Sequence, residues 1–144
     1  MSQRVDLQPA FVLHSRRYRD TSLIVELWTA EWGRVAAVAR GARQGSRRSQ
    51  RVALQAFQPL LVSWSGRGSL KTLTTRESAG AAVHLAGKRL YSGLYVNELL
   101  VRLLAHEDPH PELYTAYVSL LDALAERSDL DVQLRQFEIG RAHV

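Results

Sequence analysis

Apolar positions in the first 80 residues come in short runs, and later they come at helical intervals. Residues 10–14, 22–29, 35–39, 54–57 with 60–64, and 70–75 are apolar or alternating runs. Each has the length of a strand and is rich in β-branched or aromatic side chains, so strands are predicted. The breaks between them carry turn chemistry. Glu31-Trp32-Gly33-Arg34 and Ser65-Gly66-Arg67-Gly68-Ser69 read as hairpin turns, with glycine supplying positive φ. Pro9 and Pro59 are expected at strand starts, where a missing N–H costs little. Five short antiparallel strands in 80 residues predict a small closed barrel. The OB-fold is the first candidate and an SH3-like barrel its rival.

From residue 81 the period changes. Leu90, Leu94, Val101 and Leu104 follow helical spacing, with Tyr91 and Tyr95 stacked four apart and expected to pack the helix on the barrel. Asp108-Pro109-His110-Pro111 stops that helix, and Pro111 suits the first turn of the next. Leu113, Tyr117, Leu120, Leu121 and Leu124 form its apolar stripe. Ser128-Asp129 closes it, and residues 130–137 begin a third helix through Leu134 and Phe137. The fold class is therefore α+β: a five-stranded antiparallel OB-fold barrel over 1–80, then an incomplete helical domain over 81–138. Residues 139–144, Ile-Gly-Arg-Ala-His-Val, also translate a common sequencing-library adapter, and are expected to be a non-native tail.

Composition narrows the function. With 46% apolar residues among 144 the chain can bury a core. Having no cysteine, it forms no disulfide, thiol nucleophile or Cys-ligated zinc site of its own. No apolar run reaches the roughly 18 residues of a membrane helix. The start of the chain does not read as a signal peptide, so a soluble cytoplasmic protein is expected.

The net charge of +5 is unevenly placed: residues 1–80 carry +8 and residues 81–144 carry −3. Arg34, Arg40, Arg43, Arg47, Arg48 and Arg51 fall in a stretch without one acid, and Arg16, Arg17 and Arg19 cluster after the first strand. In an OB barrel these two loops would frame one groove. Arginine suits phosphate because its planar fork donates two parallel hydrogen bonds and stays charged. Trp32, at a hairpin tip, and Tyr18 are candidate platforms for unpaired bases, whereas Trp28 and Trp64 lie in core-like runs. There is no phosphate-binding glycine loop and no nucleophile elbow. His106 and His110 mimic a metal pair by spacing, but Pro109 breaks the helix that would align them. No metal, cofactor or catalytic centre is expected.

Ala10-Phe11-Val12-Leu13, Tyr18-Arg19-Asp20-Thr21-Ser22, Ala39-Arg40-Gly41-Ala42-Arg43, Leu54-Gln55-Ala56-Phe57-Gln58-Pro59-Leu60 and Asn97-Glu98-Leu99-Leu100 occur in that order. In that order they resemble the bacterial recombination mediator family RecO, from about residue 8 to Phe137. The resemblance implies an OB-fold and a helical domain that bind single- and double-stranded DNA and anneal complementary strands. It implies work with RecR and the tail of the single-stranded DNA-binding protein SSB, and help in loading RecA, without nucleotide or cofactor. It also implies a longer chain, often with a four-Cys zinc module, and hence apolar surface left open on Leu113, Leu120, Leu124 and Leu134. An RNA-binding OB module and a scaffold for an acidic peptide are the alternative readings.

Overall fold

The computed structural model describes residues 3–42 and 52–125. Arg43, Arg47, Arg48 and Arg51, the predicted third helix and the expected tail lie outside the described residues.

Five strands form: β1 (Arg4–Tyr18), β2 (Ser22–Thr29), β3 (Gly33–Ala39), β4 (Leu60–Ser65) and β5 (Leu70–Ser78). They close into a barrel in the ring order β1-β2-β3-β5-β4, the arrangement of an OB-like barrel. The expected antiparallel barrel forms, with one parallel seam where β3 and β5 pair through Ala36–Leu70, Ala37–Lys71 and Val38–Thr72. The reason is parity: direction cannot alternate around a closed ring with an odd number of strands.

Two expectations change. β1 starts at Arg4, so Pro9 lies inside the strand rather than at its start. It is tolerated beside a register shift between Val5 and Gln8, where Leu7 takes φ 48°. Residues 54–57 are not a strand but an irregular approach to β4. Phe57 there has φ 67° and is buried. Both predicted hairpins form. In the first, the Trp32 N–H donates to Thr29 Oγ1 and that hydroxyl donates to the Gly33 carbonyl, each at 3.0 Å.

Strand alternation separates two cores. Val5, Ala10, Val12, Val25, Leu27, Val35, Leu60, Val62 and Trp64 turn into the barrel. Phe11, Leu13 and Trp28 turn outward and join Val96, Leu100, Leu113, Tyr117, Leu120, Leu121 and Leu124 in a second core. That core needs α1 (Lys88–Leu103) and α2 (Pro111–Ala125). At about 1.5–3 kcal/mol for each large apolar side chain buried, it fastens the helices to the outer barrel wall. Phe11, Trp28, Tyr114 and Tyr117 meet mostly edge to face, with ring centroids 5.2–6.0 Å apart. The Tyr117 hydroxyl donates to Asn97 Oδ1 at 2.6 Å, bridging α2 to α1.

This packing corrects the expected apolar surface. Leu113, Leu120 and Leu124 are buried because the α2 stripe meets Phe11 and Trp28. Tyr91 and Tyr95 do not pack the helix on the barrel: they are 74% and 50% exposed, on the far side of α1.

Candidate nucleic-acid interface

The ladder registers lay out the outer face of the barrel as rows, because directly paired residues share a face. The first row is Phe11, Trp28 and Arg34, and the second is His14, Glu26, Ala36 and Leu70. The third is Arg16, Ile24, Val38 and Thr72. The fourth begins with Tyr18 and Ser22, and Arg40 follows just beyond the end of β3.

The helical part covers the upper rows. Phe11 and Trp28 are sealed under α2. The loop between the helices continues the cover over the β2–β3 hairpin. The Glu107 N–H donates to the Arg34 carbonyl at 2.8 Å. Gly33, at φ 71°, lies so close to Asp108 that an added Cβ would sit 2.6–2.7 Å from its backbone. Arg34 Nη1 donates to Glu26 Oε1 at 2.7 Å and Arg34 Nε to the Leu104 carbonyl at 3.0 Å. His106 Nε2 is 3.0 Å from the same Glu26 oxygen. Lys71, also buried, has its Nζ 3.7 Å from Glu107 Oε1.

Arg34 is predicted by its sequence neighbourhood to meet phosphate, but it is engaged in this junction with its side chain only 12% exposed. Trp32 is half-buried, packed edge-on to Trp64 with centroids 6.3 Å apart, and so is held by the barrel core rather than offered to a base. His106 and His110 face different carboxylates, Glu26 and Asp108. Among the described residues no three His, Asp or Glu side chains converge as a metal site.

In the lower rows Ile24 is buried, but Arg16 and Arg40 are exposed and Tyr18, Ser22 and Val38 half-buried. A cleft of about 390 Å³ is lined by Tyr18, Arg19, Thr21, Ser22, Val38, Arg40, Gly41 and Thr72. A smaller depression, lined by Ala39, Arg40, Leu73, Thr74, Thr75 and Arg76, shares Arg40 with it. Arg16, Arg17, Arg19 and Arg40 are exposed. Arg17 pairs with Leu23, which turns to the barrel core, so it leaves the strand on the side opposite Arg16. Arg19 takes φ 55° at the β1–β2 turn, and its guanidinium lies 5.0 Å from the centre of the Tyr18 ring. The structure thus brings together Arg19, Arg40 and Tyr18 at one cleft, with Arg16 in the adjoining row of the same face. It adds Val38 and Thr72, which carry no charge signal and emerge only from the register between strands. The perturbed phenols lie elsewhere: burial pushes Tyr114 up to about 12 and Tyr117 higher still, both in the helical core.

Residues 1–81 match the family model described as "Recombination protein O N terminal", and residues 84–142 match "Recombination protein O C terminal". The chain is 51% identical over 135 residues to the DNA repair protein RecO of Ralstonia nicotianae, covering 94% of this chain and 49% of the relative. It is 50% identical over 137 residues to that of Methylococcus capsulatus, covering 95% and 56%. With the RecO of Pseudoalteromonas atlantica it shares 48% over 130 residues, covering 90% and 54%. The chain spans about half the length of the curated relatives it matches.

Proposed function

Since this chain belongs to the RecO family of DNA repair proteins, we propose that it binds single- and double-stranded DNA and promotes the annealing of complementary strands. The observation that carries this is the cleft in the lower half of the outer face, lined by Arg19 and Arg40, with exposed Arg16 in the adjoining row. The arginine-rich stretch with Arg43, Arg47, Arg48 and Arg51 follows Arg40 directly in sequence and adds further positive charge. Guanidinium groups neutralise phosphate and release condensed counterions. Two strands held on one basic surface repel each other less and can pair, with no bond made or broken by the protein. The barrel over 1–80 is the DNA-binding unit in this reading. In this reading RecR and the SSB tail are the partners through which RecA is loaded, with most of the SSB-tail site assigned to the part of the family protein that this chain does not span. No helix among the described residues is long and apolar enough to cross a membrane; the work is assigned to the cytoplasm, on the nucleoid.

The test is annealing of complementary fluorescent oligonucleotides across a salt series. The wild-type chain accelerates annealing, and the effect fades steeply with salt. Arg19→Glu with Arg40→Glu slows it and reduces the salt slope of single-strand binding by about 1.4, near 0.7 for each phosphate that is no longer neutralised. A folded double variant with unchanged annealing and slope overturns the assignment of this face.

A further inference from the structure

Resting on that reading, we infer that the cleft between the β1–β2 turn and the end of β3 holds one unpaired nucleotide, and that it gives the barrel its preference for single strands. Three observations converge. The cleft, about 390 Å³, has the size of a small-ligand site rather than of a duplex groove. Its lining is mixed: the Tyr18 ring and Val38 offer apolar surface, Thr21, Ser22 and Thr72 offer hydroxyls, and Arg19 and Arg40 bring guanidinium groups from the β1–β2 turn and from the end of β3. A base fits the first group, a sugar the second, and the phosphates on either side of that nucleotide the third. The face ends there, because the rows above are closed by Phe11 and Trp28 under α2 and by Arg34 and Glu26 under the loop between the helices. A strand crossing the lower rows meets this cleft as the larger of the two depressions that share Arg40.

A duplex keeps its bases stacked and paired and presents only phosphate and sugar. It meets Arg16, Arg19 and Arg40 but cannot fill the cleft, so the cleft adds affinity for unpaired strands alone. Base stacking on an aromatic side chain tolerates any sequence, so the preference is for single-strandedness and not for a base identity.

The test measures binding of a mixed-sequence oligonucleotide and of its duplex to the whole chain by fluorescence anisotropy. Val38→Phe fills the cleft from β3 and leaves every arginine in place; Thr72→Ile fills it from β5 independently. Each is expected to weaken single-strand binding about tenfold and to keep duplex binding within twofold. With the wild-type chain, an oligonucleotide whose sugars carry no bases is expected to bind weaker by the same factor, which needs no variant to fold. Equal losses for both nucleic acids, or no loss for the base-free strand, overturn the cleft while leaving arginine-mediated binding standing. A wild-type chain that binds neither nucleic acid overturns both.

Discussion

Replacing Arg34 with Met separates a phosphate-binding role from a structural one. Met keeps much of the apolar stem and removes the charge. Two bonds vanish, the 2.7 Å pair with Glu26 and the 3.0 Å bond to the Leu104 carbonyl. Bonds to charged groups contribute about 1.5–3 kcal/mol each, and stranding one partner of a buried pair costs about 3–5 kcal/mol. Glu26 is 17% exposed and keeps His106 at 3.0 Å, so the lower end applies, about 3 kcal/mol. For a chain of this size that is a fall in Tm of about 10 °C. Urea unfolding followed by tryptophan fluorescence reads the loss as a lower midpoint at unchanged slope. Trp28 reports the helical junction and Trp64 the barrel interior, so the two cores are watched together. Oligonucleotide affinity of the folded variant is expected to stay within about twofold, since Arg34 lies under the loop between the helices. An unchanged midpoint with a tenfold drop in affinity would refute the reasoning and return Arg34 to the DNA surface.

Two further outcomes follow from the packing. Gly93→Ala is expected to destabilise by about 1–2 kcal/mol in the same unfolding assay. Its Cβ would stand 2.7 Å from Phe57 Cζ and 2.9 Å from Leu85 Cδ1, and overpacking outweighs the roughly 1 kcal/mol that alanine gains in a helix. A more stable variant would show that Phe57 yields freely. Alkaline pH is the second. Burial raises the Tyr114 phenol from 10.0 to about 12 in the folded state. Its neutral form therefore contributes stability that is complete below pH 10 and is lost as pH rises from about 10 to 12. Melting curves across that range fall for the wild type and fall less for Tyr114→Phe; identical curves would remove Tyr114 from the account.

The barrel was legible because its strands alternate and its turns carry glycine. Residues 22–29 and the Glu31–Arg34 turn needed no tertiary information. Other features were not local. Nothing near Pro9 announces that β1 runs past it, since the bulge that tolerates the ring is set by pairing with β4, more than 50 residues away. Residues 54–57 have a strand's composition, yet Phe57 is claimed by Leu85 and Gly93 of the helical part, and tertiary packing overrides propensity. The candidate site divided in the same way. Arginine clustering pointed to the loops as a charge field, and of those arginines Arg19 and Arg40 share a cleft. Arg34 has the same charge and neighbourhood in sequence. Only the arrival of Leu104 and Glu107, some 70 residues later, turns it into a joint. Val38 and Thr72 had no signature, because a cleft floor is defined by who pairs with whom.

The ring order sets a timetable for the growing chain. β1, β2 and β3 are sequential neighbours and can pair as soon as they leave the ribosome. β4 must reach back to Arg4 through Arg4–Ser65 and Val5–Trp64, and the ring stays open until β5 arrives to join β4 and β3. Closing distant ends costs chain entropy before any pairing offsets it, most of all between β1 and β4, and the parallel β3–β5 seam shuts the ring last. Thr72 reaches the cleft only then. Phe11 and Trp28 wait longer still, exposed on the finished barrel until α2 has been made, roughly 85–115 residues after them. For that interval the nascent protein carries an aromatic patch that attracts other chains, and synthesis of α2 ends it.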